Sequence, residues 1–102
     1  MDSVNIPQLG QIVRIVRGKD SGKYAVIINV EDQRFVWIAD GDKRKFDHPK
    51  KKNLAHLELL QAISSEVVES LQDSGRVTNG KLRFALFKYV DQLQSEAQEK
   101  GE

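Results

Sequence analysis

The sequence predicts an α+β fold, a small β-barrel to about residue 61 followed by two α-helices. Three observations predict it. Short β-branched runs bounded by glycine turns fill the first sixty residues, the apolar period lengthens after Gln61, and Gly75 divides the remainder into two helical stretches. The expected units are residues 1–61 for the barrel and 62–102 for a helical C-terminal extension.

Residues 1–9 read as an extended leader, because Pro7 disfavours helix at and before its own position and Leu9 is the one strong anchor there. Strands are expected at 11–17, 23–31 and 34–39. Ile12, Val13, Ile15 and Val16 precede a charged turn, and Tyr24, Val26, Ile27, Ile28 and Val30 follow it. Gly18 and Gly22 bracket Lys19-Asp20-Ser21, so the backbone can take positive φ on either side of that turn. Glu31-Asp32-Gln33 is short enough to make the second and third strands antiparallel neighbours. Asp40-Gly41-Asp42 is a turn by composition, a brief fourth strand is expected near Lys43 to Phe46, and a fifth near His56 to Leu60.

The first helix is expected to carry Ile63, Val67, Val68 and Leu71 on one stripe, with Ser64 or Ser65 as N-cap and Gly75 as the stop. In the second, Leu82, Ala85, Leu86, Tyr89, Val90 and Leu93 recur at helical spacing behind Thr78 as N-cap. Asn79-Gly80 would suit a hairpin turn, but a stripe of six apolar positions outweighs one dipeptide. The tail from Gln94 is expected to fray.

A chain of 102 residues is one small domain with little room for a large active-site cleft. The absence of cysteine excludes disulfides, thiolate nucleophiles and cysteine-ligated metals. No apolar run approaches the ~20 residues of a membrane span, and Met1 to Gly10 lacks the features of a signal peptide, so a cytoplasmic protein away from membranes is expected. The net charge of +1 conceals an asymmetry. Residues 14–52 hold eleven Lys and Arg against six Asp and Glu, whereas residues 53–102 hold five against eight. A basic half of this kind suits a polyanion, and the acidic half suits solvent or protein.

The segment from Gly10 to Val30, through Gly10, Val13, Gly18, Asp20, Gly22, Lys23 and Val26, resembles the KOW motif of ribosomal proteins and transcription elongation factors. Tyr24 and Ala25 stand where many such motifs carry a further glycine, a departure similar to the large-subunit ribosomal subfamily of eukaryotes and archaea and its short bacterial relatives. The continuation through Ile38-Ala39-Asp40-Gly41-Asp42, Arg44, Pro49-Lys50-Lys51-Lys52-Asn53-Leu54 and His56-Leu57 strengthens the resemblance, which covers roughly residues 9–60. It implies an SH3-like barrel and a role in binding RNA. The glycines Gly10, Gly18 and Gly22, with Asp20, would be its structural positions.

Six cations lie within the ten residues Lys43-Arg44-Lys45-Phe46-Asp47-His48-Pro49-Lys50-Lys51-Lys52, a density that attracts phosphates and releases their counterions. Taken alone the cluster equally suits a solvated loop. The hairpin cations Arg14, Arg17, Lys19 and Lys23 favour nucleic acid if the barrel brings them alongside. Phe46, Phe35 or Trp37 would then be platforms for bases, although Trp37, Phe35 and Tyr24 more readily fit packing roles. The carboxylate of Asp20 is expected to accept backbone N–H groups of its own turn. His56 matches a position of the resembling family and either touches phosphate or caps the barrel.

Catalysis and cofactors are not expected. His48 and His56 are too few for a metal site. Gly18 to Tyr24 is one residue short of a nucleotide P-loop, with Tyr24 where a magnesium-binding Ser or Thr belongs, and no nucleophile elbow exists.

The expected function is therefore binding of structured RNA, which the resemblance makes ribosomal RNA, in a ribosomal or ribosome-associated protein acting in translation. The expected contacts are Arg14, Arg17, Lys19, Lys23, Lys43, Arg44, Lys45, Lys50, Lys51, Lys52 and His56. The rival is a protein-interaction module of the same fold, acting in translation or transcription through Phe84, Phe87 and Trp37. A protein partner at the C-terminal helices fits either reading.

Overall fold

A computed structural model describes residues 6–100. The leader expected at 1–9 therefore falls largely outside the described residues, and Ile6 to Gln8 form no regular element. Five strands, β1 (Gln11–Ile15), β2 (Tyr24–Val30), β3 (Phe35–Ala39), β4 (Lys50–Asn53) and β5 (Leu57–Ile63), precede helices α1 (Ser65–Ser74) and α2 (Asn79–Lys100). The strands form one antiparallel sheet in the order β4-β3-β2-β1-β5, the architecture of an SH3-like barrel whose end strands β4 and β5 share no ladder. No helix among the described residues is long and apolar enough to cross a membrane.

The fourth strand departs from expectation. It lies at Lys50–Asn53 and not at Lys43 to Phe46, because backbone groups of the earlier segment are engaged elsewhere. The Asp40 carboxylate accepts N–H bonds from Asp42 (2.8 Å) and Arg44 (2.9 Å), and Asn79 Oδ1 accepts the N–H of Phe46 at 2.8 Å. Pro49, which has no N–H to donate, immediately precedes β4. Three lysines in a row suit an edge strand, since charge discourages another chain from adding to it. β5 is also longer than expected and follows a 3-10 turn at Leu54–His56. Ile63 ends this strand, 47% exposed, and does not begin the helical stripe.

β2 and β3 are buried on both faces, as their nearly continuous apolar sequences require. Ala25, Ile27, Val36 and Ile38 point into the barrel with Val13, Ile15 and Leu57. Val26, Ile28 and Ala39 point the other way, where Val67 of α1, Val77, and Leu82 and Ala85 of α2 cover them. Trp37, Phe46, Leu71 and Leu86 complete this second cluster, so Trp37 takes its packing role. The buried Gln11 serves the irregular stretch of the β1–β5 ladder, where its Nε2 donates to the Leu60 carbonyl at 2.9 Å.

The helix ends follow their capping chemistry. Ser64 Oγ accepts the Val67 N–H, Gly75 closes α1 with φ 77°, and Thr78 Oγ1 accepts the Lys81 N–H at 3.1 Å. The α2 backbone continues as helix through Lys100, beyond the point where fraying was expected.

Two glycines allow the helices to approach the sheet. The Gly10 N–H donates to the Ile27 carbonyl, its own carbonyl accepts the Ser64 N–H, and a Cβ there would stand 2.5 Å from Val68 Cγ2. Gly41, at φ 81°, lies against the start of α2, where a Cβ would strike the Asn79 carbonyl and come within 3.0 Å of Leu82 Cβ. Arg83 Nη1 clamps this joint by donating to the Gly41 carbonyl at 2.7 Å.

Two stability outcomes follow. Leu82→Ala empties a fully buried position between α2 and the sheet and is expected to cost about 2–5 kcal/mol in urea unfolding followed by Trp37 fluorescence. An unchanged midpoint would make α2 peripheral to the fold. Gly41→Ala adds steric overlap, about 1–3 kcal/mol, to the strain of its left-handed backbone. Gly75→Ala meets nothing within 4 Å and so incurs only the backbone strain, about 1–2 kcal/mol. Equal losses for the two would contradict the close approach at Gly41.

Candidate nucleic-acid interface

The β1–β2 hairpin sets the first wall of a basic cleft. Its ladder ends at Arg14 opposite Tyr24, the Ile15 N–H donates to the Lys23 carbonyl at 2.8 Å, and the Gly22 N–H returns to Ile15 at 2.7 Å. Gly18 and Gly22 have φ of 97° and 93°, the positive values anticipated for the turn. Asp20 differs from expectation. Its main-chain carbonyl accepts the Lys23 N–H, while its carboxylate lies 3.5 Å from Lys23 Nζ. Partial desolvation opposes ionisation of Asp20, but hydrogen bonding and charge from Lys23, with Lys50 and Lys43 behind, hold its carboxyl below the ordinary aspartate value.

The turn after β3 makes the second wall. Asp40 collects the N–H groups of Asp42 and Arg44, and its own N–H donates to the Arg44 carbonyl at 2.8 Å. This fold-back directs Lys43 and Arg44 toward the hairpin. A carboxylate that interrupts the basic sequence is thus the scaffold of the basic loop.

β4 supplies the third wall through simple alternation. Lys50 pairs with Ile38 and Lys52 with Val36, whose side chains face the barrel interior, whereas Lys51 pairs with Trp37 on the opposite face. Lys50 and Lys52 consequently line the cleft. Lys52 reaches the hairpin tip, since a Cβ on Gly18 would lie 3.8 Å from its Nζ. Lys51 instead bonds Glu31 at 2.7 Å and sits 4.8 Å above the Phe35 ring. That bond, with help from Trp37 Nε1, lowers the Glu31 carboxyl below its ordinary value.

The result is a cleft of about 220 Å³ lined by Lys19, Lys23, Lys43, Arg44, Lys50 and Lys52, with Asp20 and Asp40 as the two carboxylates. Ile15, Ala25 and Ile38 form its apolar floor and Tyr24 stands at its side. Six cations against two carboxylates leave a concentrated positive field, suited to phosphate.

Not every expected contact belongs to this cleft. Arg14 pairs with Glu58 at 2.9 Å, and Arg17 and Lys45 are exposed outside its lining. His56 is half-buried at the end of the 3-10 turn, and its carbonyl accepts the Val16 N–H at 2.9 Å. No group of acidic or histidine side chains among the described residues is arranged for a metal. Phe46 is packed against the second core cluster with Arg76 5.0 Å from its ring centre, so it is not an open platform for a base. The apolar floor and the clamp from Arg83 escaped sequence reasoning. The Gly41 turn preceding Lys43-Arg44 was the local sign that a helix would press there.

Comparison with known proteins agrees with this architecture. The KOW motif model matches residues 9–38. Over 71 residues, 70% of this chain and 96% of the relative, the sequence is 39% identical to a Bacillus subtilis protein named "Putative ribosome-binding protein YbzG". Large ribosomal subunit protein eL14 of Aeropyrum pernix is 24% identical over 78 residues, which cover 69% of this chain and 78% of the archaeal protein. The chain belongs to the KOW-motif family, and within it is similar to a short bacterial protein and more weakly to a large-subunit ribosomal protein.

Proposed function

We propose that this protein is a non-enzymatic, ribosome-associated factor of the cytoplasm that binds ribosomal RNA through the basic cleft. The observation that carries the reading is the convergence of the hairpin, the Asp40 turn and β4, three separated segments whose cations line one concave surface. The likeness to YbzG, a protein named for ribosome binding, supports the ribosome-associated part of this reading. Phosphate and sugar groups of structured RNA would sit among Lys19, Lys23, Lys43, Arg44, Lys50 and Lys52. Arg17, Lys45 and His56 would contribute at its margin. Arg14 and Lys51 already have carboxylate partners and would add less. In this reading the barrel unit, residues 1–61, holds the RNA, and the helical unit, residues 62–102, braces the barrel and extends the contact surface.

A protein-interaction role draws on one observation, the exposure of Phe84 and Phe87 on α2 at 49% and 66%. It predicts that neutralising the cleft leaves ribosome association intact.

Binding to purified large-subunit ribosomal RNA across a salt series separates the two. If about six cations reach phosphates, the logarithm of affinity falls with the logarithm of salt concentration at a slope of about −4 to −5. Lys50→Gln combined with Lys52→Gln is expected to flatten that slope by about 1.5 and to weaken binding at every salt concentration tested. Lys51→Gln, on the other face of the same strand, is expected to leave both close to wild type. Equal effects from the two faces, or none from either, would remove the cleft from the function.

A further inference from the structure

The cleft holds more than a phosphate site needs. Six cations stand on its walls, but its floor is carbon from Ile15, Ala25 and Ile38, residues of the barrel core cluster that reach the surface here. An anion laid on such a floor loses hydration and gains no partner, whereas the flat face of a base gains from covering it. Tyr24 makes one side of the cleft, and its ring is held edge to face at 5.6 Å by Tyr89 of α2. A space of about 220 Å³ admits one base and not a duplex, whose bases stay stacked inside the helix.

Asp40 is the second feature that phosphate does not explain. A carboxylate on the wall of a phosphate site repels the ligand, and the turn uses only part of this one. Asp40 Oδ1 collects both backbone N–H groups, from Asp42 at 2.8 Å and Arg44 at 2.9 Å, and Oδ2 accepts no hydrogen bond from any described residue. Asp40 lines the cleft, so the scaffolding role takes one oxygen and leaves a charged acceptor at the cleft wall. Asp20 differs, because its carboxylate lies 3.5 Å from Lys23 Nζ.

We propose that the cleft receives one unpaired nucleotide of a structured RNA. Its base rests on the Ile15, Ala25 and Ile38 floor beside Tyr24, its exocyclic amino group donates to Asp40 Oδ2, and the neighbouring phosphates lie among the cations. The inference rests on the RNA-binding reading of the cleft and adds the class of nucleotide that it takes. That class is a bulged or looped base bearing an amino group, which adenine, cytosine and guanine have and uracil lacks. A base already outside a stack enters at less cost than a paired one, so a bulge or loop is its source.

The test measures binding of the full-length protein, at one low salt concentration, to three labelled RNAs that share a stem. One carries a single bulged adenosine, one carries purine riboside in its place, which lacks only the amino group, and one is fully paired. The bulged adenosine RNA is expected to bind about ten- to hundredfold tighter than the purine riboside RNA, and the paired stem is expected to bind weakest. Asp40→Asn keeps an oxygen for the Asp42 and Arg44 N–H groups and puts an amide N–H where the acceptor was. It is expected to erase the difference between the two bulged RNAs, while the paired stem binds at least as well as before. Equal affinity of the wild type for the two bulged RNAs overturns the proposal. So does an Asp40→Asn variant that keeps the difference, or one that weakens all three RNAs equally, which would leave Asp40 only its scaffolding role. Failure of the cleft reading shows separately, as a Lys50→Gln and Lys52→Gln variant that binds all three RNAs like wild type.

Discussion

The two-sided burial of β2 and β3 is the constraint on which the rest of the structure depends. Strands with four or five successive apolar residues cannot leave either face in water, and a five-stranded sheet curled on itself covers only one of them. The helices are the cover for the other, with Val67, Val77, Leu82 and Ala85 closing over Val26, Ile28 and Ala39. α1 and α2 are therefore part of the core and not an ornament attached to a finished barrel.

That constraint also shapes the cleft. Because α2 must lie against β2 and β3, its first turn meets the Gly41 turn, where Asn79 bonds the backbone of Phe46 and Arg83 bonds Gly41. The backbone of 40–46 is then fixed by the Asp40 carboxylate on one side and by the helix on the other. Lys43 and Arg44 are held in register with the hairpin and with Lys50 and Lys52 by this bracing. Like charges gathered in one place repel, and the two carboxylates Asp20 and Asp40 moderate the repulsion without cancelling the positive field. In the proposed RNA-binding reading, an incoming phosphate would replace that moderation with direct pairing, and salt would weaken the pairing by screening.

Much of this was legible from sequence, for identifiable reasons. The glycine-bracketed turn marked the hairpin, short β-branched apolar runs marked β2 and β3, and Ser64, Gly75 and Thr78 marked the helix ends through local capping chemistry. β4 was misplaced because its ladder depends on non-local competition for backbone donors, with Asn79 taking the N–H of Phe46 from a position 33 residues away. The basic residues were legible as a set but not as a surface. Only strand register separates Lys50 and Lys52 from Lys51, and only the fold reveals that Arg14 is taken up by Glu58. The run Ala25-Val26-Ile27-Ile28 did carry the missing clue, since four consecutive apolar residues in a short strand imply cover on both faces.

The most direct test of the account is crosslink mapping on protein co-sedimented with ribosomal subunits, with nuclease-treated controls. The account predicts salt-sensitive association with the large subunit and RNA crosslinks shared among Lys19 to Lys23, Lys43 to Arg44 and Lys50 to Lys52, the three walls of one cleft. Association that survives nuclease and high salt, with no crosslinked RNA at any of these segments, would contradict it.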